Sequence, residues 1–99
     1  MQAMKSYYTY ILKCSDGKYY IGVTNNLERR LIEHQQGFDP KSFTFSRRPV
    51  ELVYSLQSND INEAIAFEKQ LKGWTRRKKE ALIRGEFDLL PKLSKKKFD

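Results

Sequence analysis

The chain has 99 residues, enough for one domain but not two, and a chain of this length buries roughly two thirds of its unfolded surface without staples. Hydrophobic residues make up 39% and charged residues 31%, a mixture that argues against wholesale disorder. The 19 Lys and Arg outnumber 12 Asp and Glu, and the resulting +7 suits a polyanionic partner but equally serves solubility, so charge alone assigns no function.

Met1 to Ser6 carries no apolar h-region, and no later run approaches the roughly eighteen apolar residues of a spanning helix, so neither a secretion signal nor a membrane span is expected. Tyr7 to Cys14 (YYTYILKC) is rich in aromatic and apolar residues and reads as a strand. Cys14 is the only cysteine. It can form no intrachain disulfide and supports no Cys-based zinc site, which fits a reducing, cytoplasmic setting. Ser15-Asp16-Gly17 is a turn signal, and Lys18 to Val23 (KYYIGV) reads as the returning strand of a β-hairpin. With a three-residue loop and Gly17 left-handed, Cys14 pairs with Lys18, Leu12 with Tyr20 and Tyr10 with Gly22. Tyr10 and Tyr20 then share one sheet face, because side chains alternate along a strand. A two-residue loop would separate them.

Asn25-Asn26-Leu27-Glu28 has the form of a capping box, with Asn25 as N-cap and Glu28 three positions into the helix. The helix is expected to reach about Gln36 and to end at Gly37. Helical spacing sets Leu27, Arg30, Leu31 and His34 on one face, with Arg29 turned to water. Gly37 to Pro49 reads as a loop carrying Phe43, Phe45, Arg47 and Arg48, and Val50 to Leu56 as a third strand.

Asp60-Ile61-Asn62-Glu63 is a second capping box. The helix after it sets Ile61, Ala64, Ile65, Phe67, Leu71 and Trp74 along one broad stripe, interrupted by Glu68. Gly73 marks a break. Thr75 to Arg84 reads as a third, very basic helix stopped by Gly85. Phe87, Leu89, Leu90 and Leu93 are expected to fold back onto the core, and residues 93–99 form a short basic tail. The order β-β-α-β-α-α predicts a single α+β domain over residues 1–99, a small three-stranded antiparallel or mixed sheet flanked by helices.

Three features stand apart from packing. Arg30 and His34 lie four apart among leucines, Glu68 breaks an apolar stripe, and a tyrosine-rich hairpin ends in Gly22. Each has an ordinary reading: an arginine-paired carboxylate, a satisfied core histidine, packed tyrosines. Together they supply what phosphodiester hydrolysis needs. A carboxylate can hold Mg²⁺ with water and phosphate, a guanidinium can stabilise charge on phosphate, and a phenol assisted by a cation can accept a proton.

Here the residues resemble the GIY-YIG nuclease family. Tyr20-Ile21-Gly22 is a literal YIG, and Thr9-Tyr10-Ile11 stands where GIY or GVY is usual. Arg30 falls ten positions after Tyr20 and His34 four later, as in the family's first helix. Glu68, in Ala66-Phe67-Glu68-Lys69-Gln70, is similar to the family's metal-binding glutamate. The resemblance covers roughly residues 7–84 and is closest to short single-domain bacterial members. It is more distant to the excision-repair subunit UvrC, to homing endonucleases and to structure-selective junction nucleases.

The resemblance implies Tyr10, Tyr20, Arg30, His34 and Glu68 as active-site residues, with Tyr20 as general base and Glu68 holding one Mg²⁺ or Mn²⁺. The implied reaction leaves a 5′-phosphate and a 3′-hydroxyl, on DNA first and RNA as the alternative, with selection for structure rather than sequence. Lys72, Arg76, Arg77, Lys78 and Lys79 form one basic cluster for nucleic acid, Arg47 and Arg48 another, and Phe43 and Phe45 can stack on unpaired bases. The basic helix reads equally as a solvated face, and the phenylalanines as loop packing. Two departures stand out: Thr9 replaces a glycine, and Lys72 to Leu93 holds no asparagine where many family nucleases carry one. The second motivates an alternative, a non-catalytic nucleic-acid-binding module on the same fold; a protein-interaction domain is the third class.

Overall fold

Residues 5–87 are described by the computed structural model. Strands β1 (Tyr7–Lys13) and β2 (Tyr19–Thr24) form the expected hairpin. Gly17 adopts φ 86°, a conformation open to glycine, and the Cys14 N–H donates to the Lys18 carbonyl at 2.8 Å. The three-residue loop therefore sets the register as read: Tyr10 opposite Gly22, Leu12 opposite Tyr20. Strand β3 (Glu51–Ser58) pairs antiparallel with the other side of β1. The sheet order is β2-β1-β3 with antiparallel pairs throughout, so the mixed alternative does not occur.

A bulge interrupts the β1–β3 ladder. Ile11 pairs with Tyr54 but Leu12 pairs with Leu52, which leaves Val53 as the extra residue. Val53 and Tyr54 consequently both join the Ile11 side, while Leu52 stays with Leu12. The two faces of the sheet bury different helices. On one, Tyr10, Leu12, Cys14 and Val50 pack with Leu27 and Leu31 of α1 (Leu27–Gln36). On the other, Ile11 and Ile21 pack with Leu71 of α2 (Ile61–Lys72) and Leu82 of α3 (Arg76–Ile83).

The helix starts differ from the sequence reading by one hydrogen bond each. Asn26, not Asn25, caps α1: its side chain accepts from the Arg29 N–H at 3.0 Å. Thr24 decides this, because its hydroxyl accepts the Asn26 N–H at 3.2 Å and holds that residue extended. Glu28 is then one position too early to close a box. At α2, Asp60 is the cap as expected, but Ser58 steps between the two halves of the box. Its hydroxyl accepts the Asp60 N–H and donates to Glu63, each at 3.1 Å.

The apolar stripe of α2 is narrower than its composition suggests. Ala64 and Leu71 are buried and Phe67 and Trp74 half-buried, but Ile61 and Ile65 are exposed. The spacing 64, 67, 71, 74 follows one helical ridge, and Ile61, Ile65, Glu68 and Lys72 form the ridge beside it. Glu68 therefore sits at the rim of the stripe rather than within it. Phe87 is exposed rather than folded onto the core, and Leu89, Leu90, Leu93 and the basic tail lie outside the described residues.

The cap assignment predicts an asymmetry between neighbouring asparagines. Asn26→Ala should cost about 1 kcal/mol of unfolding free energy, and Asn25→Ala only a small fraction of that, measured by urea denaturation. Equal costs would restore Asn25 as the cap.

Candidate active site

The register of the hairpin decides where two phenols meet. Tyr10 and Tyr20 lie on the α1 face with ring centroids 6.2 Å apart. The Tyr10 ring lies over Gly22. A Cβ there would stand 2.5 Å from the Tyr10 phenol oxygen and 2.7 Å from Cζ, so glycine is required by close approach rather than by backbone angle.

Helix α1 brings His34 and Arg30 to the same pair. His34 Nε2 is 3.1 Å from the Tyr10 oxygen, and its ring meets Tyr20 edge-on at 5.0 Å. His34 Nδ1 is 2.7 Å from the Thr44 hydroxyl. The Arg30 guanidinium lies against both phenols and donates to Glu33 at 3.0 Å. Arg29 faces solvent, as helical spacing requires.

Arg30 has no acceptor and can only donate toward the phenols it lies against. The Tyr10 hydroxyl and His34 Nε2 share one hydrogen bond, and the other ring nitrogen shares one with the Thr44 hydroxyl; the His34 tautomer sets the direction of both. No buried side-chain polar atom among the described residues is left without a partner.

Burial pushes the Tyr10 phenol up to about 12, with the Arg30 hydrogen bond opposing and Tyr20 adding to the rise. Burial also lowers the His34 pKa below its ordinary 6.5; the Arg30 charge acts in the same direction and Glu33 against it. Burial works against charge on Arg30 too, but hydrogen bonds to Tyr10 and Glu33 outweigh it and hold the pKa above the usual arginine value. At neutral pH the cluster is thus a neutral Tyr10 and a neutral His34 beside a permanent cation.

Glu68 arrives from the opposite face of the sheet, on α2. Its carboxylate, 20% exposed, accepts an ion pair from Lys72 at 2.9 Å. Lys72 in turn lines an open groove of about 250 Å³ with Tyr20, Phe43 and Lys79, along the outer edge strand β2. Glu68 is therefore linked to the Tyr20 side of the site through Lys72, while Tyr10, Arg30 and His34 touch directly. Three roomier hollows, beside Tyr8 and Leu27, beside Gln57 and Asp60, and beside Lys5 and Tyr7, do not reach Tyr10 or Tyr20, so size does not mark the site.

The donor set bears on a metal. Among the described residues no group of three or more His, Cys, Asp or Glu gathers as a metal cage. A single carboxylate fits Mg²⁺ or Mn²⁺, hard ions that keep several waters and take phosphate oxygens as further ligands.

The basic residues divide by what already occupies them. Arg47 pairs with Asp16 at 3.0 Å and lies 3.9 Å over the Phe43 ring. Arg48 donates to the Phe45 carbonyl at 2.8 Å and lies over the Phe45 ring. Arg76 binds Glu80 at 3.1 Å and covers Tyr19, and Lys78 covers Trp74. Arg77 is exposed, while Lys72 and Lys79 face the groove. Phe43 is stacked 6.2 Å from Tyr20 as an extension of its ring surface.

Two participants, Thr44 and Glu33, carried no recognisable sequence signal, and Thr9 showed only as a departure from the family pattern. Thr44 is buried and orients His34, yet it sits in a loop between two phenylalanines. Glu33 balances Arg30. Thr9, which stands where a family glycine is usual, is buried and donates to the Ala64 carbonyl at 2.9 Å, tying β1 to α2 one turn before Glu68.

A family model for the GIY-YIG catalytic domain matches residues 6–81. A UPF0213 protein of Bacillus pumilus is 45% identical over 78 residues, 79% of this chain and 79% of that one. A UPF0213 protein of Staphylococcus saprophyticus is 41% identical over 80 residues, 81% of this chain and 96% of that one. The solution NMR structure of a protein from E. faecalis aligns with a TM-score of 0.59 at 36% identity, covering 88% of this chain and 92% of that one. That of a UPF0213 protein from Bacillus halodurans aligns at 0.53 and 37%, covering 80% and 83%.

Two outcomes follow from the geometry. Gly22→Ala should destabilise the fold by roughly 1–3 kcal/mol, because the new methyl and the Tyr10 ring cannot share the space; thermal unfolding measures it. His34 is neutral when folded, so the unfolded chain binds its proton more readily. Stability should fall as pH drops through about 6.5 toward 5, and His34→Gln should flatten that slope in urea titrations. A wild-type slope that survives the substitution would assign it elsewhere.

Proposed function

The chain belongs to the GIY-YIG nuclease superfamily, and from that membership we propose that it is a metal-dependent nuclease acting on DNA by structure rather than sequence. The observation that carries the reading is the Tyr10–Tyr20–Arg30–His34 cluster, in which a permanent guanidinium lies against two phenols of different environment.

The two tyrosines are suited to different work. Tyr10 is buried, is hydrogen-bonded to His34 and has its pKa raised to about 12, which favours a positioning role. Tyr20 is only half-buried and borders the open groove, so it is the better acceptor for the proton of an attacking water. Arg30 stabilises the phenolate this requires and then the charge on the phosphate in flight. His34, held by Thr44, keeps Tyr10 and Arg30 in register. Hydroxide adds to phosphorus as the bond to the 3′ oxygen breaks, leaving a 5′-phosphate and a 3′-hydroxyl.

Glu68 would hold the divalent ion through its carboxylate oxygens. When bound, such an ion neutralises phosphate charge as a Lewis acid. Lys72 and Lys79 offer charge to the nucleic-acid backbone along β2, and the stacked Tyr20 and Phe43 rings offer an unpaired base a platform. Arg77 and, after rearrangement, Arg47, Arg48, Arg76 and Lys78 can add to the phosphate field. These groups contact backbone charge and base faces rather than base edges, which favours selection by structure. Among the described residues no helix is long and apolar enough to cross a membrane.

A panel of single-stranded, flapped and branched DNA, with matching RNA, tests the reading. Cleavage should require Mg²⁺ or Mn²⁺ and stop with EDTA. Arg30→Ala, Tyr20→Phe and Glu68→Gln should each lower the rate at least about 100-fold without lowering the melting temperature. Tyr10→Phe should retain more activity than Tyr20→Phe. Salt-dependent binding without cleavage, indifferent to metal and to Glu68→Gln, would instead select the non-catalytic binding module.

A further inference from the structure

The Glu68–Lys72 ion pair on α2 stands beside the groove that Tyr20 lines. Lys72 touches the Glu68 carboxylate at 2.9 Å and also borders the Tyr20 groove. We propose that Lys72 is a resident counter-ion, exchanged at Glu68 for a divalent cation, and that the released ammonium turns onto a phosphate in the groove. The proposal rests on the reading of Glu68 as the metal-holding residue.

The unequal exposure of the two partners favours exchange. The Glu68 side chain is 20% exposed and sits beside buried Ala64 and Leu71, so its charge calls for a partner. It also lies in the last turns of α2, where the helix dipole is negative and the attraction for a cation stronger. The Lys72 side chain is 58% exposed on a flexible four-carbon stem, and an exposed i,i+4 pair of this kind is weak. The ammonium is a point charge that can leave without stranding a buried donor.

An ammonium paired with a carboxylate presents little net charge to a phosphate. In the metal-free protein Lys72 is committed to Glu68 and lends the groove little. A divalent cation on Glu68 repels the ammonium toward the groove, where Lys79 already stands. Metal and nucleic acid then favour each other's binding, because the exchange that admits the ion also adds a positive charge to the strand path.

Mn²⁺ binding to the full chain without nucleic acid, followed by the electron paramagnetic resonance of the free ion, tests the exchange independently of cleavage. Lys72→Met should tighten Mn²⁺ binding on the order of fivefold, the strength of the lost competitor. Lys79→Met removes an equal charge from the same groove but not from Glu68, and should leave the affinity near wild type. Glu68→Gln should lose binding in either background. An unchanged or weakened Lys72→Met beside a Glu68→Gln that still loses binding overturns the exchange while sparing the nuclease reading. Equal gains from Lys72→Met and Lys79→Met overturn it in favour of bulk charge. A Glu68→Gln protein that binds Mn²⁺ normally removes the metal site itself.

Discussion

The Tyr10 hydroxyl is buried where a lost hydrogen bond is costly, and its hydrogen-bond partner is a histidine nitrogen 3.1 Å away. Much of the local structure answers to that contact. Gly22 must lack a side chain so that the ring can lie across β2. His34, held neutral by burial, meets that hydroxyl through one ring nitrogen and the Thr44 hydroxyl through the other. Arg30 completes the arrangement, its guanidinium lying against the phenol and held by Glu33. A change at any of these positions reaches the others through one ring.

The loop of residues 37–49 is therefore part of the site rather than a connector. Arg47 ties it to Asp16 in the hairpin turn, and the Ser15 N–H donates to the Arg47 carbonyl at 2.9 Å. Arg48 grips its other side through the Phe45 carbonyl and ring. Gln35 joins α1 to the start of β3, its side-chain oxygen accepting the Val50 N–H at 3.0 Å. These anchors hold Thr44 beneath His34 and Phe43 beside Tyr20. Two arginines that composition offers to nucleic acid thus have structural employment.

The sheet also separates chemistry by face. The α1 face carries the phenols, the guanidinium and the imidazole, while the α2 face carries the carboxylate. At β2, one of the two edge strands, groups from both faces can border one groove, and Lys72 and Tyr20 do so. Thr9 and Tyr10 repeat this division within one strand. The Thr9 side chain secures α2 on one side, and the Tyr10 side chain enters the phenol cluster on the other.

What the sequence determined was governed by short-range geometry. A three-residue loop with Gly17 sets the hairpin register, and the pleat then puts Tyr10 and Tyr20 on one face. Spacing of four along a helix brings Arg30 and His34 to one side, and YIG with those positions identified the family. The cap of α1 was misread by one residue because Asn25 and Asn26 are chemically alike, and only the Thr24 hydroxyl distinguishes them. Tertiary structure alone decided which face each helix covers, where Glu68 stands relative to the phenols, and which arginines are already engaged. Those outcomes depend on contacts between residues far apart in the chain, such as Thr9 with Ala64, Arg47 with Asp16 and Tyr19 with Glu80. No local period or propensity encodes which distant partner a side chain will meet.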